Sequence, residues 1–216
     1  MKARMAGYFR RLGTRFALLA AVPAIVGFVS SWSAGMGFLL FILAIPAAAL
    51  ILFTYALISL IRGVQLGRQV ETPREKILAI AAAPFGLACT LALAWPSLAA
   101  GSFGGSLSRL IVNKSQYEAI IRKAQSHQKP DWFAEDEGVT YSVDVGPPVR
   151  VAFNPAGMLD NWSGIIYDPT GDVMLAKGFD SKSGRFFGPD RITKLFKGDL
   201  VRCRRLWGSY YDCSFT

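Results

Sequence analysis

The sequence predicts a membrane anchor of three transmembrane helices followed by a small extracytoplasmic α+β domain, in which one helix packs on an antiparallel sheet. Two observations favour this fold class. The apolar residues of the 216-residue chain are concentrated in three blocks that contain no charged residue and no histidine. The region after these blocks has strand-like alternation and turn residues. Residues 1–100 therefore form the anchor, residues 101–106 a linker and residues 107–216 the domain.

The three apolar blocks comprise residues 16–32, 38–61 and 77–100. A bilayer core about 30 Å thick requires roughly 20 apolar residues in a helix. The second and third blocks meet this length. The first block is shorter, and it spans the core if Arg15 extends its charged group towards the headgroups and Trp32 lies in the interface. The sequence therefore predicts three transmembrane helices at about these positions.

Basic residues are distributed unevenly around the three blocks. Residues 1–15 contain five basic and no acidic residues, residues 62–76 contain four basic and two acidic ones, and residues 33–37 are uncharged. Basic residues concentrate on the cytoplasmic side of a membrane. We therefore expect a cytoplasmic N-terminus in a plasma (bacterial inner) membrane and a periplasmic or extracellular C-terminal domain. The lipid bilayer is then a partner, and the pI of about 9.7 requires no nucleic acid to explain it.

Residues 1–34 also have an alternative interpretation as a signal peptide. They combine a basic start, an apolar stretch and a run of small residues that ends at Ala34. Trp32 fits poorly at the third position before such a cut, where a small residue is typical. Cleavage would leave two helices and the same location for the C-terminal domain.

The first part of the domain has a helical pattern. Residues 101–106 are rich in glycine and serine, which is typical of a flexible linker. Ser115-x-x-Glu118 forms a capping-box pattern, and apolar residues then recur at spacings of three and four. We expect a helix over about residues 116–126, whereas residues 107–112 fit either a helix or an extended segment.

The rest of the domain is predicted to form an antiparallel sheet of five or six strands. The sequence favours strands at 139–145 and 149–153, a loop at 154–164, a hairpin within 165–175, another loop at 180–190, one helical turn at 191–196, and a final hairpin from strands 199–207 and 210–215. The hairpin at 165–175 is indicated by Asp168-Pro169-Thr170-Gly171, which suits a type I turn.

Two of the three cysteines, Cys203 and Cys213, lie on the two strands of the final hairpin. Alternation places Val201, Cys203, Arg205 and Trp207 on one face of the first of these strands. A register that pairs the two cysteines directly also pairs Val201 with Phe215 and Arg205 with Tyr211, unless a bulge near Gly208 shifts it by one residue. Directly opposed residues lie within disulfide reach, and such a pair oxidises outside the cytoplasm. We expect a disulfide, with two buried free thiols as the alternative. Cys89 is a small apolar residue of the third span.

The sequence contains few groups suited to catalysis. The single histidine, His127, follows the predicted helix, and no Cys-x-x-Cys, nucleotide-binding or zinc-binding pattern is present. Asp160, Asp168 and Asp172 lie close together in the sequence and could act as acids or bases. Asp168 is already explained by its turn. We therefore predict no catalytic residue, no metal and no cofactor.

Asp160, Asn161 and Trp162 form a polar and aromatic cluster within the predicted loop. Exposed aromatic and amide groups on loops are suited to recognition. The alternative is that Trp162 packs into the core beside Ile165. These three residues are the candidate binding loop of the domain.

The expected function is that of a non-enzymatic integral membrane protein whose domain binds a partner protein or an envelope ligand, in sensing, inhibition or complex assembly. A membrane-bound hydrolase that uses loop carboxylates such as Asp160 is one alternative. An accessory subunit of a transporter is another, although the spans contain only a few hydroxyl and thiol groups that could line a path.

Overall fold

The computed structural model describes residues 2–127, 134–158, 161–180 and 182–216. These residues form two compact units, Met1–Gly105 and Ser106–Thr216. The first is helical, and the second contains the sheet.

Three long helices begin in the first unit: α1 (Lys2–Trp32), α2 (Ala34–Gly67) and α3 (Pro73–His127), of which α3 continues into the second unit. Each is long and apolar enough to cross a membrane, and together they contain the three predicted spans. Many large apolar side chains of these helices are exposed, among them Phe85 (71%) and Trp95 (74%). Such exposure is unfavourable in water and suits contact with lipid.

The helix ends are defined by local side-chain contacts. Ser33 separates α1 from α2, and its hydroxyl accepts a hydrogen bond from the backbone N–H of Met36. Thr72 precedes α3 and bonds Glu75 through its side chain at 2.9 Å, an arrangement typical of a helix N-terminus. The connections are therefore shorter than the uncharged and basic segments that the sequence indicates.

The predicted linker at residues 101–106 is wrong, because this segment is part of α3. Its glycines allow α1 and α3 to approach closely. A Cβ atom at Gly101 would lie 1.9 Å from the carbonyl oxygen of Ala24, and one at Gly105 would lie 2.5 Å from that of Phe28. Small residues four apart permit such contacts between membrane helices. The glycines here therefore favour helix packing rather than flexibility.

The second unit contains an antiparallel sheet of six strands within its described residues. The strands occur in the order β1-β2-β3-β4-β8-β7, and two short strands, β5 and β6, pair separately. Their bounds are β1 (Ala134–Asp136), β2 (Val139–Asp144), β3 (Arg150–Met158), β4 (Asn161–Tyr167), β5 (Phe179–Asp180), β6 (Arg185–Phe186), β7 (Leu200–Trp207) and β8 (Tyr210–Phe215).

Buried side chains lie on both faces of the six-stranded sheet. On one face, α3 residues 110–124 pack against strand residues, and the ring of Tyr117 stacks on that of Phe153 with 4.1 Å between centroids. The other face is covered by residues of a short helix α4 (Asp190–Thr193) and of a 3-10 helix, Leu195–Lys197. Alternate residues of β3, β4 and β8 therefore contribute to two separate cores.

Two local predictions are wrong for identifiable reasons. Ser115 lies inside α3, so Ser115-x-x-Glu118 starts no helix, and Glu118 instead pairs with Lys114 at 3.6 Å. Tyr167 ends β4 and is followed by a 3-10 helix, Asp172–Leu175, instead of a second hairpin strand. Both predictions rest on a few neighbouring residues. Whether Ser115 begins a helix depends on whether the residues before it are already helical, and whether residues 172–175 form a strand depends on a partner strand from elsewhere in the chain.

The predicted loop at 154–164 is largely strand. β3 continues to Met158, and the ladder is interrupted only between Phe153 and Ala156, where Pro155 has no N–H to donate. A β-bulge at this point lets the strand continue through residues that normally indicate a loop.

The final hairpin has the predicted pairing around its two cysteines. The predicted pairing of Val201 with Phe215 is wrong, because an irregularity between Leu200 and Arg202 places Leu200 opposite Phe215. Cys203 lies opposite Cys213 and Arg205 opposite Tyr211, and the two sulfurs form a disulfide. A bulge follows Arg205, so that Trp207 pairs with Tyr210. A disulfide that closes a ring of this size stabilises a fold by about 2.5–3 kcal/mol.

Candidate functional site

The predicted binding loop is only partly described. Asp160 lies outside the described residues, and Asn161 begins β4. The ring of Trp162 stacks on Phe215, with 3.7 Å between centroids and an interplanar angle of 2°. Trp162 is half-buried against the core that contains the disulfide. Its indole therefore packs on the domain, on the opposite sheet face from Ile165.

The structure brings Asp168 and Asp172 together around one arginine. Nε of Arg150 lies 3.1 Å from Oδ1 of Asp168, and Nη2 of Arg150 lies 3.4 Å from Oδ2 of Asp172. Both Arg150 and Asp168 are buried. A fourth charged group, Arg191, lies 3.6 Å from Asp172 at the surface.

Asp168 also organises the backbone after β4. Its Oδ1 accepts hydrogen bonds from the N–H and hydroxyl of Thr170, and its Oδ2 accepts one from the N–H of Val173. Burial by itself raises the pKa of this carboxyl, but these hydrogen bonds and the charge of Arg150 outweigh burial and hold the pKa below its usual value. Asp168 is therefore a fixed anion that closes a turn.

The remaining reactive groups are separate from this cluster. Cys203 and Cys213 are joined and buried, Cys89 is a free cysteine of α3, and His127 is the last residue of α3. Within the described ranges, no three His, Cys, Asp or Glu side chains are arranged to hold a metal ion. These groups offer no combination of nucleophile and base among the residues described.

A groove of about 370 Å³ lies in the second unit between α3 and the turn that joins β7 to β8. The helix contributes one wall and the turn region the other. The lining residues are Leu110, Lys114, Glu118, Ile121, Arg122, Gln125, Tyr167, Trp207, Gly208, Ser209 and Tyr210.

Trp207 is the most prominent side chain of the groove. It is 55% exposed, and Nζ of Lys114 lies 5.0 Å from the centroid of its ring. Lys114 is also paired with Glu118. A cation above an indole ring is a favourable contact, and here it holds an exposed aromatic surface in a defined position.

The floor of the groove is aromatic and uncharged. The rings of Tyr167 and Tyr210 lie 5.6 Å apart. Burial raises the pKa of Tyr210 to about 12, with a further contribution from the nearby carboxylate of Glu118. Tyr210 is therefore a neutral phenol at physiological pH, which suits contact with a ligand better than proton transfer.

Comparisons of the chain with protein-family models, with curated proteins and with solved structures give no match.

The groove is absent from the sequence-based prediction, which places Trp207 on the same strand face as Cys203. The bulge after Arg205 moves Trp207 opposite Tyr210, which faces the core that includes α3. In the sequence, Gly208 indicated that a bulge in the turn could shift the pairing of β7 with β8 by one residue. Only the fold places residues from α3 next to this turn.

A second groove, of about 670 Å³, lies between α1 and α3 in the first unit. None of its lining residues is charged, and its only hydroxyl, on Thr90, donates a hydrogen bond to the backbone oxygen of Gly86 at 2.9 Å. The groove therefore offers no charged group to an ion or a polar substrate.

Proposed function

We propose that this chain is a non-enzymatic integral membrane protein whose extracytoplasmic domain binds a partner protein of the envelope. The observation that carries the proposal is the exposed ring of Trp207 at the groove, held by Lys114. Buried aromatic anchors supply much of the energy of protein association. In this proposal the domain recognises its partner through α3 and the turn between β7 and β8.

The chemistry of the groove defines the partner. Trp207 supplies an exposed aromatic surface and Tyr167 a half-buried one, and Arg122 is exposed and has no ion pair among the described residues. The charges of Lys114 and Glu118 are already matched to each other. The fitting ligand is a protein segment with an apolar side chain next to a carboxylate, since that group would pair with Arg122.

The proposed location is the plasma membrane, with a cytoplasmic N-terminus and a periplasmic or extracellular domain. Two independent features support it. Basic residues cluster before the first span and between the second and third. The disulfide between Cys203 and Cys213 belongs to an oxidising compartment.

The surroundings of the acidic residues support a binding role over hydrolysis. Asp168 is buried and fully engaged by hydrogen bonds, and Asp172 lies against Arg150. A carboxylate that acts as a general acid needs a raised pKa and access to a substrate. Asp168 has neither property.

The proposal is tested by photo-crosslinking in intact cells that contain the full chain. The photoreactive residue p-benzoylphenylalanine replaces Gln125 in the groove, and in a second variant it replaces Glu135 on the edge strand β1 as the control. We expect one discrete protein adduct from position 125 and none from position 135. The absence of an adduct from position 125 would overturn the proposal.

The role of Trp207 is examined in the same experiment. Trp207→Ala should abolish the adduct from position 125, whereas Trp207→Phe should retain it, because an aromatic ring still fills the groove. An adduct that persists unchanged in Trp207→Ala would show that the groove is not the binding surface.

A further inference from the structure

A second exposed surface lies away from the groove, around β5 and β6. Four large apolar side chains are exposed there although they belong to a folded domain: Met174 (43%), Leu175 (43%), Phe179 (47%) and Phe187 (55%). Contiguous exposed apolar groups of this kind mark interaction sites. We call β5, β6 and the flanking residues of this group the phenylalanine hairpin.

The described residues of the phenylalanine hairpin are joined to each other and to β7 by backbone hydrogen bonds. Phe179 pairs with Phe186 across its two strands, and their rings lie 4.8 Å apart. The N–H of Phe187 donates to the carbonyl of Gly178 at 2.9 Å, and the N–H of Gly178 donates to the carbonyl of Val201 at 2.8 Å. The hairpin is therefore attached to β7, and its apolar side chains are held in place before any ligand binds.

The same segment carries a concentrated positive charge. Residues 174–197 contain six basic and two acidic residues, whereas the rest of 101–216 contains nine basic and eleven acidic ones. Lys177, Lys182 and Arg185 are exposed and have no carboxylate partner in the part of the chain that the structure describes. Nζ of Lys194 lies 5.4 Å from the ring centroid of Phe186. Exposed phenylalanines thus occur together with three cations, Lys177, Lys182 and Arg185, that have no carboxylate partner among the described residues.

We propose that the phenylalanine hairpin binds an anionic phospholipid surface. Exposed phenylalanine and leucine side chains enter the boundary between headgroups and acyl chains. Each Lys or Arg close to an anionic leaflet contributes about 1 kcal/mol, which is roughly a fivefold gain in affinity. The three apolar helices keep the chain at a bilayer, so the effective concentration of lipid is high.

The test uses hydrogen exchange measured by mass spectrometry on the full chain. The chain is reconstituted in nanodiscs of neutral phosphatidylcholine or of phosphatidylcholine with phosphatidylglycerol, and the neutral sample is also mixed with anionic vesicles. We expect the amides of Gly184 and Phe187 to exchange at least about fivefold more slowly when anionic lipid is present in either form. Raising the salt concentration to 1 M should remove most of the difference, because screening shortens the range of attraction to about 3 Å.

Matched variants separate this surface from the groove. Phe187 and Trp207 are both 55% exposed. Phe187→Ser should lose the lipid-dependent protection and keep the crosslink from position 125, whereas Trp207→Ser should show the reverse. Arg185→Gln should reduce the protection by anionic lipid about fivefold, because it removes one positive charge from the surface.

Three results would overturn the lipid assignment. The first is equal exchange of the hairpin amides with and without anionic lipid. The second is equal protection by neutral lipid alone, which would exclude a role for charge. The third is protection that arises only when a partner protein is added, which would make the hairpin a protein-binding surface. The strand amides of residues 139–144 serve as an internal reference in each sample.

Discussion

At the scale of single residues, the ion pair between Arg150 and Asp168 lies in the interior of the domain. Arg150 is 4% exposed and Asp168 is 0% exposed. Transferring both charges from water is costly, and the cost is offset only when every polar atom finds a partner. Asp168 meets this condition through hydrogen bonds from Thr170 and Val173. Arg150 does not meet it in full, because its buried Nε lies 3.1 Å from Oδ1 of Asp168 without hydrogen-bond geometry. The main effect of the pair is therefore to fix the conformation of the turn after β4, and its net contribution to the free energy of unfolding is small.

We predict that Asp168→Asn lowers the free energy of unfolding of the domain by about 3–5 kcal/mol, because it leaves the buried charge of Arg150 poorly compensated. Thermal or denaturant unfolding of the full chain in detergent micelles measures the change. Asp199→Asn is the matched control, since Asp199 pairs with Lys194 at the surface. Exposed pairs contribute about 1 kcal/mol or less, so equal effects of the two substitutions would contradict the prediction.

The same carboxylate predicts a response to acid. The folded state holds the pKa of Asp168 below its usual value, so the unfolded state binds the proton first as the pH falls. The stability from Asp168 is fully present above the unfolded pKa of about 3.9 and is lost as the pH falls towards the lower folded pKa. Melting temperatures between pH 6 and pH 3 measure this loss. Asp168→Asn should flatten the acid limb, and an unchanged slope in that variant would contradict the assignment.

At the scale of elements, the contact between α1 and α3 depends on glycines. Gly27 on α1 would place a Cβ atom 2.3 Å from the carbonyl oxygen of Leu98, and Gly101 on α3 makes the reciprocal approach to Ala24. Side-chain hydroxyls of Ser31 and Ser102 also lie 3.1 Å apart across this contact. Packing and interhelical hydrogen bonds of this kind hold membrane helices together.

We predict that Gly101→Ala destabilises the helical unit by about 1–3 kcal/mol, the usual cost of overpacking. Gly104→Ala is the control, because its Cβ would meet only Phe28, at 3.8 Å. Both substitutions gain the same helix propensity, so their difference isolates the contact. Unfolding of the full chain in mixed micelles with increasing sodium dodecyl sulfate measures it. Equal midpoints for the two variants would show that the close approach is unimportant.

The accuracy of the sequence-based predictions differs between elements for physical reasons. The pairing of Cys203 with Cys213 was predictable, since a hairpin register follows from alternation and turn length. The glycines of 101–106 were misinterpreted, because close packing against α1 and flexibility require the same residue. The 3-10 helix after Asp168 was missed since its sequence also fits a hairpin turn. The groove was missed because it joins segments that are distant in the sequence.

At the scale of the whole molecule, the charge pattern and the disulfide support the same proposed topology for two unrelated physical reasons. Translocation is opposed by the basic residues of 1–15 and 62–76. Oxidation of Cys203 and Cys213 depends instead on the redox state of the compartment. An odd number of spans would place the two ends of the chain on opposite sides of the membrane. Three spans are therefore consistent with a cytoplasmic N-terminus and a C-terminal domain in an oxidising compartment. Both proposed binding surfaces would then lie outside the cytoplasm.

We predict that Cys203 and Cys213 react with a membrane-impermeant maleimide in intact cells only after treatment with a membrane-impermeant reductant. Reduction opens the hairpin disulfide, and the proposed topology would expose the released thiols to the external reagent. The mass of the labelled full chain measures the number of modified thiols, with two expected after reduction and none before. Cys89→Ser serves as the control, because the count should not change when the cysteine within the apolar part of α3 is absent. Labelling that required cell lysis would place the domain in the cytoplasm, and both surface proposals would then need cytoplasmic partners.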